Sequence, residues 1–218
     1  MAAGDAQAPE RSTHPPTLGL LGAPGSGKSA AAAHLGGRGF CVIDADRLAR
    51  EALRHPSVVG AIGARFEASH PGIIGSDGQV DRGVLAEVVF VEPEVRRWLE
   101  GLIHPRVAAE RQRIRATVDP ERYPAGVVED CPLLLETGLD AVCDALMMID
   151  ADQAARVARV RERGWDAAEL ARRDAAQWPL ERKRDAAGVV IDNSGDLAAL
   201  GRAIDAWLDA HWRPGRPS

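Results

Sequence analysis

The apolar positions of this chain fall into short continuous runs, separated by longer stretches with helical spacing. Five runs have strand length: Leu18–Gly22, Phe40–Ile43, Gly126–Val128, Ala145–Ile149 and Val189–Ile191. They are mostly continuous rather than alternating, as parallel strands covered on both faces are. Each is followed by polar residues and helix-compatible sequence. That order predicts an α/β fold with a doubly wound five-stranded parallel sheet, whose ligands sit at the carboxyl ends of the strands. Behind the first run, Ala30–Leu35 is rich in alanine, the best helix former, and Gly36-Gly37 supplies a stop. Leu197, Leu200, Ile204, Trp207 and Leu208 form one stripe of a final helix over Leu197–His211, which caps the core.

The strand rhythm has two interruptions. Between Ile43 and Gly126, Val84–Phe90 is apolar, Glu94–Ile103 and Val107–Val118 have helical spacing, and Pro105 and Pro120 punctuate. A crossover between parallel strands needs only about a dozen residues, so a second, mostly helical unit is expected there. The charge-rich segment Ala151–Arg184 separates the fourth and fifth strands.

The first strand opens into Gly22-Ala23-Pro24-Gly25-Ser26-Gly27-Lys28-Ser29, the spacing of a phosphate loop. Gly22, Gly25 and Gly27 remove the Cβ atoms that would keep a tight turn from closing around phosphate oxygens. The loop runs into a helix N-terminus, where unpaired N–H groups and the positive dipole end favour anions. Lys28 can reach the β- and γ-phosphates, and the Ser29 hydroxyl can join the shell of a magnesium ion. Of the 27 basic residues only Lys28 and Lys183 are lysine, so lysine is kept where a compact point charge is needed. A phosphate loop on a sheet with two insertions fits a small-molecule kinase: the core holds the donor, one insertion the acceptor, and the other shuts out water.

A net charge of −5 argues against nucleic acid as the main partner, and no apolar run approaches the length that spans a bilayer. Residues 1–16 lack the order of a signal peptide and read as a disordered leader, and 213–218 as a frayed tail. Cys41, Cys131 and Cys143 lack metal or redox spacing and read as small core residues in a reducing compartment.

Several side chains carry two readings each. Asp44 and Asp46 close the second strand. In extended geometry both face the phosphate loop, and one of them would accept a hydroxyl proton or bind magnesium through water; alternatively Asp46 caps a helix over Arg47–Leu53. Asp130, at the end of the third strand, is either a magnesium group acting through water or an acidic loop residue, and Glu136 has similar support. Arg156, Arg159 and Arg163 share a face of a helix over Ala154–Arg163, as a phosphate clamp or as a solvated face, with Arg163 then complementing the helix end. His104, biased to extended geometry by Pro105, is either structural or an acceptor contact.

Taken in order, these segments resemble the dephospho-CoA kinase family: GAPGSGKS at 22–29, VIDAD at 42–46, DGQVDRGVLAEVVF at 77–90, WLEGLIHPRV at 98–107, EDCPLLLETGL at 129–139 and AAQWPLERKRDAAGVVIDNSG at 175–195. The resemblance runs from about Leu18 to Trp207. It implies a P-loop NTPase-like core over 17–59, 125–151 and 183–212, with a helical acceptor insertion over 60–124 and a helical lid over 152–182, and transfer of the ATP γ-phosphoryl to the 3′-hydroxyl of dephospho-CoA in a cytoplasmic enzyme that uses Mg2+. By motif, Gly22, Ala23, Pro24, Gly25, Ser26, Gly27, Lys28, Ser29 and Ala30 would bind ATP, with Asn193 near its adenine. Lys28, Asp46, Arg159 and Arg163 would be catalytic, with Asp46 as base or hydroxyl-orienting group. Gln177 would mark the lid's return, Arg82, His104 and Arg106 would join Asp46 on the acceptor, and Ser29 and Asp130 would serve the metal, Asp130 through water. Two other readings are another P-loop small-molecule kinase, for a nucleoside monophosphate or sugar acid, and a non-catalytic ATP-binding regulator. DGQVDR and His104-Pro105 weigh against the first, and the presence of Lys28, Ser29 and Asp46 against the second.

Overall fold

The computed structural model describes residues 14–212; the expected leader falls mainly, and the expected tail wholly, outside them. Strands β1 (Thr17–Leu21), β2 (Phe40–Asp44), β3 (Gly126–Asp130), β4 (Ala145–Asp150) and β5 (Val189–Asp192) form one sheet in the order β2-β3-β1-β4-β5. Its pairs run parallel, with Thr17 beside Val127, Leu18 beside Ala145 and Met147 beside Val189. These are the apolar runs of the sequence, to within a residue or two. From β1 the chain passes to the β2 side of the sheet, and from β3 to the β4 side. The carboxyl ends of the neighbours β1 and β3 therefore flank the switch point, where ligands bind in open α/β sheets.

The helices, in chain order, are α1 (Lys28–Gly37), α2 (Ala45–Ala52), α3 (Pro56–Phe66), α4 (Arg82–Val91), α5 (Pro93–Thr117), α6 (Gln153–Arg161), α7 (Ala167–Ala175), α8 (Leu180–Ala186) and α9 (Leu197–His211). Strand alternation sends Leu18, Leu20, Met147 and Ile149 to one face, against Ala31 and Leu35 of α1 and Leu200, Ile204 and Leu208 of α9. Leu21 and Met148 turn to the other face, against Leu134, Leu135 and Trp178. Both faces are covered, which is why these strands read as continuous apolar runs.

The chain divides into two compact units, Met1–Ile43 with Arg115–Ser218, and Asp44–Ile114. The second has its own core, Val58, Ile62 and Phe66 of α3 at four-residue spacing with Ile73, Leu85, Val88 and Val95. Phe66 meets Trp98 edge-on at 5.5 Å, and the Arg65 guanidinium lies 4.5 Å over the Trp98 ring.

Three sequence expectations change. Helix α1 runs through Gly36 and Gly37, and the chain turns at Gly39, whose φ of 89° is the left-handed conformation the exit needs. Pro105 does not divide two helices: α5 is one 25-residue helix with Pro105 inside it, so His104 is helical, not extended. The proline forfeits the hydrogen bond to the Gly101 carbonyl, but Val95 and Ile103 on one side and Arg111 on the other are buried and hold both halves in place. Leu197 stands at the first position of α9 and is 67% exposed, so the stripe that caps the core begins at Leu200.

Candidate functional site

The loop between β1 and α1 is shaped by two left-handed glycines, Gly25 at φ 80° and Gly27 at φ 94°. Neither could be another residue without strain. A Cβ on Gly25 would come within 2.9 Å of the Arg156 carbonyl, and one on Gly27 would overlap the Asn193 amide. Ser26 donates its N–H to the Ala23 carbonyl at 3.0 Å, closing the turn, and Gly27 is the N-cap of α1. Ala23 is buried, Pro24 and Ala30 are half-buried, and Ser29, in the first turn of α1, is exposed. The Ser26 hydroxyl is buried without a hydrogen-bond partner.

Three groups distant in sequence hold the loop from behind. Asn193, 1% exposed at the end of β5, donates from its side chain to the Ser26 carbonyl at 2.7 Å, and from its N–H to Asp150 O at 2.7 Å. Arg159 donates to the Asn193 carbonyl at 2.6 Å and lies 3.4 Å from the Gly25 and Ser26 carbonyls. Arg156 donates to the Pro24 carbonyl at 2.9 Å. Of the arginine stripe, Arg156 and Arg159 therefore meet the loop. Arg163 does not share their helix: α6 ends at Arg161, and Arg163 is exposed in the turn that closes at Gly164. A left-handed glycine at φ 79° ends the segment there, before the helix can complete the turn that would align Arg163 with Arg159.

Lys28 extends from the first position of α1 to an ion pair with Asp130. The register makes this contact possible, because Asp130 lies beside Leu20 on the neighbouring strand β3. The preceding carboxylate, Glu129, is fully buried and pairs with Arg115. Alternation along β3 thus sends one acid towards the loop lysine and the other to a structural pair.

The second lysine of the chain is also in this unit. Lys183 on α8 is 2% exposed, and its ammonium donates to Gln177 Oε1 at 2.6 Å and lies 3.6 Å from Glu136 Oε1. Burial holds its pKa below the usual lysine value, opposed by the Glu136 carboxylate and reinforced by the positive charge of Lys28. Glu136 Oε1 also accepts the Trp178 N–H at 2.6 Å, so Glu136, Gln177 and Lys183 fix the segment that follows α7. The sequence singled out each member, Lys183 by the rarity of lysine, Glu136 as an acid near the third strand and Gln177 by its motif, but gave no sign that they meet.

In the second unit, the cap expected from Asp46 belongs to Asp44, whose carboxylate accepts the Arg47 N–H at 2.9 Å. The extended geometry expected of both carboxylates ends at Asp44, because α2 begins at Ala45; Asp46 is exposed in its first turn. Arg82 opens α4 and is exposed, after Asp81 has capped that helix. On α5, His104 is exposed and Arg106 donates to the Ser57 hydroxyl at 2.6 Å.

No group of three or more His, Cys, Asp or Glu side chains among the described residues forms a metal cage. Magnesium, however, takes one or two protein oxygens and completes its shell with water and nucleotide phosphates. The exposed Ser29 hydroxyl at the head of α1 and the Asp130 carboxylate at the end of β3 match that donor set.

A family model for dephospho-CoA kinase matches residues 17–199. Relatives of that name include a Deinococcus radiodurans protein, 40% identical over 202 residues that cover 92% of this chain and 95% of the relative. Another, from Parasynechococcus marenigrum, is 39% identical over 189 residues, covering 86% and 92%. Among solved structures, TT1252 from Thermus thermophilus matches with a TM-score of 0.70 at 33% identity, over 91% of this chain and 99% of its own. Dephospho-CoA kinase from Campylobacter jejuni matches with a TM-score of 0.66 at 20% identity, over 89% and 96%, and shares the fold.

Proposed function

The chain belongs to the dephospho-CoA kinase family, with ATP and dephospho-CoA as its substrates, and on that premise we propose how its residues divide the reaction. The γ-phosphoryl of ATP passes to the 3′-hydroxyl of the dephospho-CoA ribose, leaving ADP and coenzyme A. The observation that carries this reading is the braced phosphate loop with Lys28 and Asp130 together at the switch point. The nucleotide phosphates lie in the Gly22–Ala30 loop, and Lys28 leaves Asp130 for the β- and γ-oxygens. Asn193 serves ATP by holding the Ser26 carbonyl, and the backbone after it borders the adenine.

Phosphoryl transfer passes through a loose transition state, so catalysis is mostly alignment and stabilisation of charge on the equatorial oxygens. Lys28 supplies that positive charge, joined by Arg159 as it leaves the loop carbonyls and by Arg163 as the lid segment closes. Asp46 orients the attacking hydroxyl by a hydrogen bond and takes its proton late, so it need not be a strong base. Arg82, His104 and Arg106 grip the acceptor, a long molecule that has to be held far from its reacting hydroxyl. The helical region 60–124 is the acceptor unit and 152–182 the lid. Ser29 directly, and Asp130 through water, would hold Mg2+, which when bound neutralises charge on the transferring phosphate. We place the enzyme in the cytoplasm, in keeping with three cysteines, Cys41, Cys131 and Cys143, whose spacing has no metal or redox pattern.

The test is ADP release with ATP and Mg2+, comparing dephospho-CoA with nucleoside monophosphates and sugar acids. Coenzyme A should form in equal amount with ADP, with dephospho-CoA alone as acceptor, and EDTA should stop turnover. Release driven by another acceptor instead would overturn the assignment.

A further inference from the structure

Three successive carbonyls of the phosphate loop, those of Pro24, Gly25 and Ser26, face side chains from the far end of the chain. Asn193 and Arg159 account for the last two. The first is held by Arg156, whose Nε donates to Pro24 O at 2.9 Å. Arg156 is 5% exposed, not part of a solvated face. Its Nη2 donates to both carboxylate oxygens of Asp174 on α7, at 2.5 and 2.6 Å. One guanidinium thus joins α6, α7 and the loop.

A trans peptide points its C=O and N–H in opposite directions, and the described residues contain no cis peptide bond. With Pro24 O fixed by Arg156, the Gly25 N–H is turned to the opposite side of that peptide plane, where a loop of this kind presents its amides to phosphate oxygens. The main chain of α6 supports the same point, since the Arg156 carbonyl packs where a Cβ of Gly25 would be. The pair is lopsided: the Arg156 side chain is 7% exposed and the Asp174 side chain 39%. If α7 moves away, the buried guanidinium loses its counter-charge while the carboxylate regains water, so undocking α7 loosens the cation that sets the loop.

We propose that Arg156 is a positioning residue of the phosphate loop, and that its ion pair with Asp174 couples the docking of α7 to the orientation of the Gly25 amide. This rests on the reading of the loop as the ATP site, and is independent of the acceptor.

The experiment is calorimetric titration of MgATP into the full-length protein and its R156K, D174N and double variants, with melting temperatures and steady-state kinetics on each. Lysine keeps the charge but cannot bridge Pro24 and Asp174 together. R156K should weaken ATP binding about tenfold, the scale of one charge-assisted hydrogen bond. D174N should weaken it less, and the double variant no more than R156K, because both changes break one connection. KM for ATP should rise more than kcat falls. A purely structural pair would lower the melting temperature and leave affinity alone; unchanged affinity in R156K, or losses that add in the double variant, would overturn the proposal. Should R156K fail to fold, D174N decides by itself, and wild-type affinity there overturns the coupling. A wild-type protein that shows this pattern but makes no coenzyme A would sink the kinase assignment and leave this inference standing.

Discussion

Lys28 and Lys183 are the only lysines in a chain that otherwise uses arginine, and their surroundings give them different work. Lys28 is paired with Asp130 at the mouth of the loop, where an arriving phosphate competes for it. Lys28→Ala should lower coenzyme A formation at least 100-fold, roughly the loss expected for one preorganised charge at a transferring group, with the melting temperature close to wild type. Asp46→Asn should cost about 10²- to 10⁴-fold in kcat, the range of general acid–base help, and a fully active variant would remove that carboxylate from the mechanism. Lys183 is buried against Gln177 and Glu136, and desolvation depresses its pKa. In the window between that depressed value and the ordinary lysine pKa of about 10.4, the unfolded chain binds the proton that the folded chain has released. Stability contributed by this group therefore rises with pH through that window. Urea unfolding of wild type and Lys183→Met at stepped pH should show the difference, wild type minus variant, growing as pH rises. A constant or shrinking difference would mean that the lysine is not held low.

Helix α6 carries Arg156 and Arg159 to the loop, so its start sets where they land. Asp152 caps it, accepting the Ala155 N–H at 2.7 Å, and its own N–H reaches the Ser194 hydroxyl at 3.1 Å. Asp152→Ala should cost about 0.5–2 kcal/mol of stability, read by denaturant unfolding. It should also weaken ATP binding, because the frayed first turn is the one next to Arg156. A loss of stability with affinity unchanged would show that α6 is held by its packing alone. Helix α5 makes the opposite point: Pro105 and His104-Pro105 read as a break, yet the helix persists because burial on both sides outweighs one missing hydrogen bond.

Trp165, Trp178, Trp207 and Trp212 lie in the unit that holds the phosphate loop, and Trp98 in the other. In a Trp98→Phe variant, tryptophan fluorescence therefore follows the first unit. MgATP at 100 times its dissociation constant should stabilise that unit by about 2.7 kcal/mol, raising its melting temperature by roughly 5–10 °C for a chain of this size. No shift on saturation with ATP would mean that the loop does not hold the nucleotide in the folded state.

The strands, the parallel sheet and the phosphate loop were legible because each rests on a local rule: continuous apolar runs for strands buried on both faces, and glycines where the loop needs left-handed turns. The family was legible for a related reason, since its motifs are short strings whose spacing survives in one sequence. What the linear chain did not disclose was partnership. The arginine stripe read as a clamp or a solvated face until the fold brought Arg156 to Pro24 and Asp174, and ended the helix before Arg163. Which of Asp44 and Asp46 caps α2 depended on the residue at which the strand ends. Glu136, weak by local sequence, gained a role only when α8 set Lys183 beside it. Local propensity and periodicity act over a few residues, whereas burial of a charge and the partner that makes it tolerable are properties of the assembled chain.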